Sequence, residues 1–122
     1  MADEIEQIEA AIDGLEYPSE SDAPFEIVRW VTKSDQTVLS AIREHVGMDR
    51  KISIKPVADF FAELEGSDDA DRFGQLRQVL QSVVSDLGVF RIGDGEVKVQ
   101  IFLIGKSLGG DWLGVSTVST ET

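Results

Sequence analysis

The stretch VFRIGDGEVKVQIFLIG, residues 89 to 105, constrains the fold more than any other part of the chain. Asp94-Gly95 tolerates the positive φ of a tight turn, and apolar alternation on either side reads as two antiparallel strands joined there. In the second strand Val97, Val99, Ile101 and Leu103 face one way, while Phe102 and Ile104 add apolar residues on the other face. Its latter half therefore has to be covered on both sides. KSLGGD leads on to a last strand, WLGVSTVST, which stops two residues before the sequence does. A sheet of this kind needs helices to cover it.

The helical pattern supplies them. Ile5, Ile8, Ile12 and Leu15 fall at helical spacing over residues 3 to 15, with acids between them, giving one apolar stripe and a negative outer face. Pro24 introduces FEIVRWV, an alternating strand. Ser34 is expected to cap a helix carrying Val38, Leu39, Ile42 and Val46, with Gly47 as its stop. KISIK is a short strand, and Pro56 opens a brief helix with Val57, Phe60, Phe61 and Leu64 on one side. The longest helix is expected to start at Ser67, with Asp68 and Asp69 at its positive end. It should carry Phe73, Leu76, Val79, Leu80, Val83, Val84 and Leu87 to a stop at Gly88. With 122 residues and no internal repeat, the expectation is one α+β domain spanning 1–122, its helices covering a mainly antiparallel sheet.

Charge narrows the partners. The formal net charge is −12, from 23 acids and 11 bases. Asp3, Glu4, Glu6, Glu9, Asp13, Glu16, Glu20, Asp22 and Glu26 all precede the first base, Arg29. A second acidic stretch, Glu63, Glu65, Asp68, Asp69 and Asp71, runs to Arg72. Phosphate recognition needs a positive footprint, so no direct nucleic-acid binding is expected, and an anionic membrane is repelled for the same reason. A basic protein or a metal ion would be attracted. Charge alone also fits plain solubility or a high-salt cytoplasm. MADEIEQIEA is acidic where a signal peptide is basic and then apolar, and no run approaches a membrane span, so a cytoplasmic protein is expected.

Catalytic chemistry finds little footing. The chain has no cysteine and one histidine, His45, which leaves no thiolate nucleophile, disulfide framework or two-histidine metal site. Ile104-Gly105-Lys106-Ser107 has the ending of a phosphate-binding loop, but Gln100 stands where that loop needs its first glycine. Gly93-Asp94-Gly95-Glu96 lacks the ligand series of a calcium loop. His45 reads as a half-exposed helix-flank residue. Trp112 fits an interface anchor and a sheet-packing side chain equally well. No enzyme activity and no cofactor of its own are expected.

YPSESDAPFE, residues 17 to 26, is the remaining oddity, since linker chemistry runs directly into a core strand. Asp13-Gly14-Leu15, Ser19-Glu20-Ser21 and Pro24-Phe25-Glu26 resemble the N-terminal segment of the nuclease A inhibitors, which block a non-specific DNA/RNA endonuclease. Phe90-Arg91-Ile92-Gly93, EVKVQIFLIG, LGVST and the terminal Glu121-Thr122 are similar to that family's closing strands and tail. The likeness covers most of the chain, strongest in the first 30 residues and from Val89 onward, and looser between, where the chain is shorter around residues 62 to 72.

The resemblance implies a three-layer α-β-α sandwich, similar to the plant pathogenesis-related PR-1 fold. It implies a 1:1 complex with a non-specific endonuclease and contact with that nuclease's magnesium; the polar, highly charged surface points to a monomer when free. It assigns partner binding to Ser19, Glu20, Ser21, Glu121 and Thr122, with Glu20 and Thr122 as the ligands to the partner's metal. Physical chemistry accommodates this. Magnesium takes oxygen ligands, and a carboxylate on a turn restricted by Pro18 and Pro24 can stand in for a phosphate oxygen with little entropy lost on docking. The alternative is an acidic interaction module that binds another basic partner without inhibiting a nuclease. It predicts binding that survives loss of Glu20 and the tail but falls steeply with salt.

Overall fold

The structure is a computed structural model describing residues 3–32, 36–47, 49–93 and 96–121. In chain order the elements are α1 (Asp3–Ile12), β1 (Glu16–Tyr17), β2 (Ala23–Pro24), β3 (Glu26–Trp30), α2 (Val38–Val46), β4 (Ile52–Lys55), α3 (Val57–Ala62), α4 (Ala70–Val83), β5 (Val84–Ile92), β6 (Lys98–Ser107) and β7 (Trp112–Thr120). Five strands form an antiparallel sheet in the order β3-β7-β6-β5-β4, and β1 and β2 form a two-stranded ladder of their own.

The β5–β6 pair is the antiparallel pair expected on either side of Asp94-Gly95, with Ile92 opposite Gln100 and Val89 opposite Leu103. The Glu96 N–H donates to the Gly93 carbonyl at 2.9 Å. Asp94 and Gly95 themselves lie outside the described residues. β6 is apolar on both faces because the sheet is covered on both. On one side α1, α3 and α4 lay Ile8, Phe60, Phe61, Phe73, Leu76 and Leu80 over Val89, Ile101, Leu103 and Val115. On the other, Ala41 and Ile42 of α2 pack over Val28, Phe90, Phe102, Ile104 and Trp112. The result is an α+β fold in three layers, helices above and below one sheet. Val97 departs from the alternation; it precedes β6 and is 59 % exposed.

Four boundaries differ from the sequence expectation. The long helix ends at Val83, and Val84 is already extended, φ −131° and ψ 154°. Val84 and Leu87 carry helical spacing yet pack against the same core from the strand. Strand pairing to β6 wins there, and a bulge between Ser85 and Gly88 absorbs the irregularity, with Asp86 at φ 54°. Gly88 is thus a strand residue and not a helix stop. At the other end α4 begins at Ala70 after Asp69. Ser67 caps nothing and donates its hydroxyl to the Leu64 carbonyl at 2.7 Å. The expected cap Ser34 lies outside the described residues. α2 is capped by Thr37, which accepts from Ser40 N at 3.1 Å while the Thr37 N–H donates back to Ser40 Oγ. α1 also ends earlier than expected, at Ile12, with Gly14 at φ 71° turning the chain so that Leu15 still reaches the core.

Three sequence readings meet the structure here. Trp112 is 8 % exposed and packs on the α2 face, its indole N–H donating to Gln36 Oε1 at 3.1 Å, so it is a sheet-packing side chain. His45 stacks on Trp30 with ring centroids 3.8 Å apart. Gly105, Lys106 and Ser107 are strand residues of β6, the wrong geometry for a phosphate loop.

Candidate functional site

The YPSESDAPFE stretch is a hairpin. Glu16 pairs with Pro24 and Tyr17 with Ala23, which leaves Pro18 to Asp22 as the loop and Glu20 at its tip. Pro24 has no N–H for a ladder, which an edge position tolerates. Inside the loop the Ser19 hydroxyl donates to the Ser21 carbonyl at 2.9 Å, and the Ser19 N–H reaches Asp22 Oδ1 at 3.4 Å. Tyr17 anchors the base. Its ring stacks on Phe60 at 5.8 Å, meets Phe25 edge-on at 6.4 Å, and is half-buried, so burial pushes its phenol above the ordinary 10.0, with the Arg91 guanidinium pulling the other way.

What places this hairpin is the length mismatch between β3 and β7. β3 pairs with β7 only from Trp112 to Ser116, so β7 runs on to Thr120 with one edge open. Unpaired backbone groups along an edge need partners. The hairpin supplies them at Thr120 and takes a side-chain bond from Thr117. The Thr117 hydroxyl donates to the Pro24 carbonyl at 3.0 Å and lies 3.3 Å from that of Ala23. The Thr120 N–H donates to Ser19 Oγ at 3.1 Å, and the Glu20 N–H donates to the Thr120 carbonyl at 3.3 Å. Ser19 thereby acts as an acceptor for one strand and a donor within its own loop. Threonine and serine are the residue types that can do this at an edge.

The same strand end carries the tail. The Glu121 N–H donates to the Val97 carbonyl at 2.6 Å, extending the β6–β7 ladder one residue past Thr120. The Glu121 carboxylate is held by Arg91 Nη2 at 2.6 Å and Ser119 Oγ at 2.9 Å. Glu20, Ser19 and Glu121 all gather at the end of β7, although Ser19 and Thr120 are 101 positions apart. The Glu20 side chain is exposed, and among the described residues no hydrogen bond or ion pair engages its carboxylate. Ser21 is exposed beside it. Thr122 lies outside the described residues.

Such an arrangement can do one thing well. It presents an exposed carboxylate on a backbone-clamped tip at the end of β7. Among the described residues no cluster of three or more His, Cys, Asp or Glu side chains is placed to hold a metal ion. A family model of nuclease A inhibitor-like proteins matches residues 2–122. The chain belongs to that family. No curated protein matches it. The middle segment, loose in sequence, falls inside the matched span.

Other features of this family member sit away from the tip. A groove of about 490 Å³ runs beside α1, lined by Glu9, Asp13, Glu16 and Glu26 around Phe25; these acids are exposed. Among the described residues no helix is long and apolar enough to cross a membrane. Sequence reasoning missed Thr117, Ser119 and Thr120 as the hairpin's and tail's partners, and Arg91 and Tyr17 as their neighbours. A signal for Arg91 was available: a cation inside the apolar run VFRI has to find an acid.

Proposed function

We propose that this chain inhibits a magnesium-dependent, sugar-non-specific endonuclease of the ββα-metal type, by setting Glu20 and Thr122 at the nuclease's catalytic metal in a 1:1 complex. The observation that carries the reading is the clamped, solvent-facing Glu20, whose own N–H bonds to Thr120, two positions from the last residue of the sequence. A nuclease site binds phosphate oxygens with a hard cation and a basic groove. An exposed carboxylate whose loop is already ordered is a phosphate mimic that loses little entropy on docking. Its surroundings support the electrostatics too, since the acids of α1 and the hairpin favour encounter with a basic groove. The chain's own residues contribute oxygen ligands and charge; the metal belongs to the partner.

The test is plasmid cleavage by such a nuclease, titrated with the native chain, Glu20→Ala and a variant lacking Thr122. Stoichiometric inhibition by the native chain, with potency lost in both variants, is the expected result. Inhibition that persists in both would remove the metal-directed mechanism, and binding without inhibition would favour an acidic module serving another basic partner.

A further inference from the structure

Resting on that reading, we propose that Arg91 is a positioning residue for the tail: it holds Glu121 so that the following residue is delivered beside Glu20. In this role Glu121 is an internal anchor and not a contact with the partner. Arg91 lies on β5 between Ser53 of β4 and Ile101 of β6, so its stem rests on the sheet and its side chain is only 17 % exposed. A guanidinium that deep needs an acid, and Glu121 fills that need at 2.6 Å with Ser119 Oγ at 2.9 Å on the same oxygen.

The neighbourhood explains why a cation is required. Glu20 bonds through its N–H to Thr120 in a chain of net charge −12, and Arg91, Glu121 and Glu63 all act on Tyr17, Glu63 being itself paired with Lys55. Without Arg91, like charges would drive the last residues away from the tip. The Glu121–Val97 backbone bond and the Ser119 hydroxyl bond both sit at a strand end, where fraying is the rule. Geometry matters as much as charge. A guanidinium can grip a carboxylate oxygen in a fixed direction, whereas a lysine ammonium is a point charge on a flexible stem.

The experiment pairs two readouts on the full-length chain. Heteronuclear NOE and amide exchange at Glu121 are measured for native, Arg91→Ala, Arg91→Lys and Glu121→Gln proteins, with circular dichroism confirming the fold. Inhibition of plasmid cleavage is titrated for the same set, with and without Thr122. The expected result is a mobile tail in Arg91→Ala and Glu121→Gln, with partial recovery in Arg91→Lys. Potency should fall about 10- to 100-fold in Arg91→Ala, with no further loss from that change once Thr122 is removed. If the tail stays as ordered as in the native protein, the inference is overturned. It is equally overturned if the tail loosens and removing Thr122 weakens inhibition while Arg91→Ala does not. If Arg91→Ala fails to fold, Glu121→Gln, which leaves Arg91 in place, decides the same points. Should the native chain inhibit nothing, the inhibitor reading falls, and a loosened tail would still uphold Arg91 as its anchor.

Discussion

Ser19→Ala separates display of the tip from contact by the tip. The hydroxyl accepts from Thr120 N at 3.1 Å and donates to the Ser21 carbonyl at 2.9 Å. Each such bond contributes a net of about 0.5–1.5 kcal/mol. One of the two is solvent-exposed, where water replaces part of what is lost, so the docked hairpin should weaken by about 1–2 kcal/mol. The Glu20 N–H to Thr120 bond at 3.3 Å and the Thr117 hydroxyl to Pro24 bond at 3.0 Å remain. The hairpin thus loosens without detaching, and the core beneath is untouched. Inhibition of a ββα-metal nuclease should weaken about 5- to 30-fold, while the melting temperature falls by about 4–8 °C. Exchange of the Thr120 amide should quicken in parallel. Ser21→Ala is the companion variant, because the Ser21 contribution is its backbone carbonyl and the amide protection of Thr120 should not change. Native-like potency in Ser19→Ala, with Thr120 as protected as before, would refute the claim that this hydroxyl holds the tip in place.

Other perturbations probe the same frame. Gly114→Ala would put a Cβ 1.8 Å from the Leu103 carbonyl oxygen; backbone cannot yield to it, so a loss of roughly 1–3 kcal/mol or more is expected in urea unfolding. Thr117→Val keeps the shape and removes the donor to Pro24 O, which should destabilise by about 1–2 kcal/mol and loosen the hairpin base by amide exchange. Tyr17 is the chain's one tyrosine, so absorbance near 295 nm follows it alone, and its midpoint should lie above 10.0. The native state then holds that proton longer than the unfolded chain does. Its contribution to stability is full below pH 10.0, is lost as the pH rises through the higher folded value, and is absent in Tyr17→Phe. Raising salt from about 0.05 to 0.5 M should slow association with a basic nuclease several-fold and change dissociation little.

The strands and helices were legible where one periodicity held and where the flanking residues agreed with it. β6 and β7 are examples: the alternation and the both-faces apolar half of β6 reported burial that the structure has on each side of the sheet. The junction of α4 and β5 was not legible, for a physical reason. Val83, Val84 and Leu87 satisfy helical spacing and also supply β-branched and apolar side chains to a strand, and local propensity cannot arbitrate. Pairing with β6 decides it, and that information sits some twenty positions away, at Lys106 and Ser107. β1 and β2 were missed because two-residue strands have no period to detect. What stood out instead was their composition, prolines and serines set directly against a core strand.

The site was legible by a different route. Nothing local marks Ser19 as the partner of Thr120, since a serine in an acidic turn ordinarily bonds its own backbone, as this one also does with Ser21. Its second role exists only because β3 stops pairing at Ser116 while β7 continues to Thr120. At Thr120 the open edge needs one acceptor and one donor, and Ser19 Oγ with the Glu20 N–H supplies them. Beside that bond the Glu20 side chain is exposed to solvent. The resemblance to an inhibitor family could pair the two ends of the chain by pattern. The length difference between two strands supplies the reason they meet.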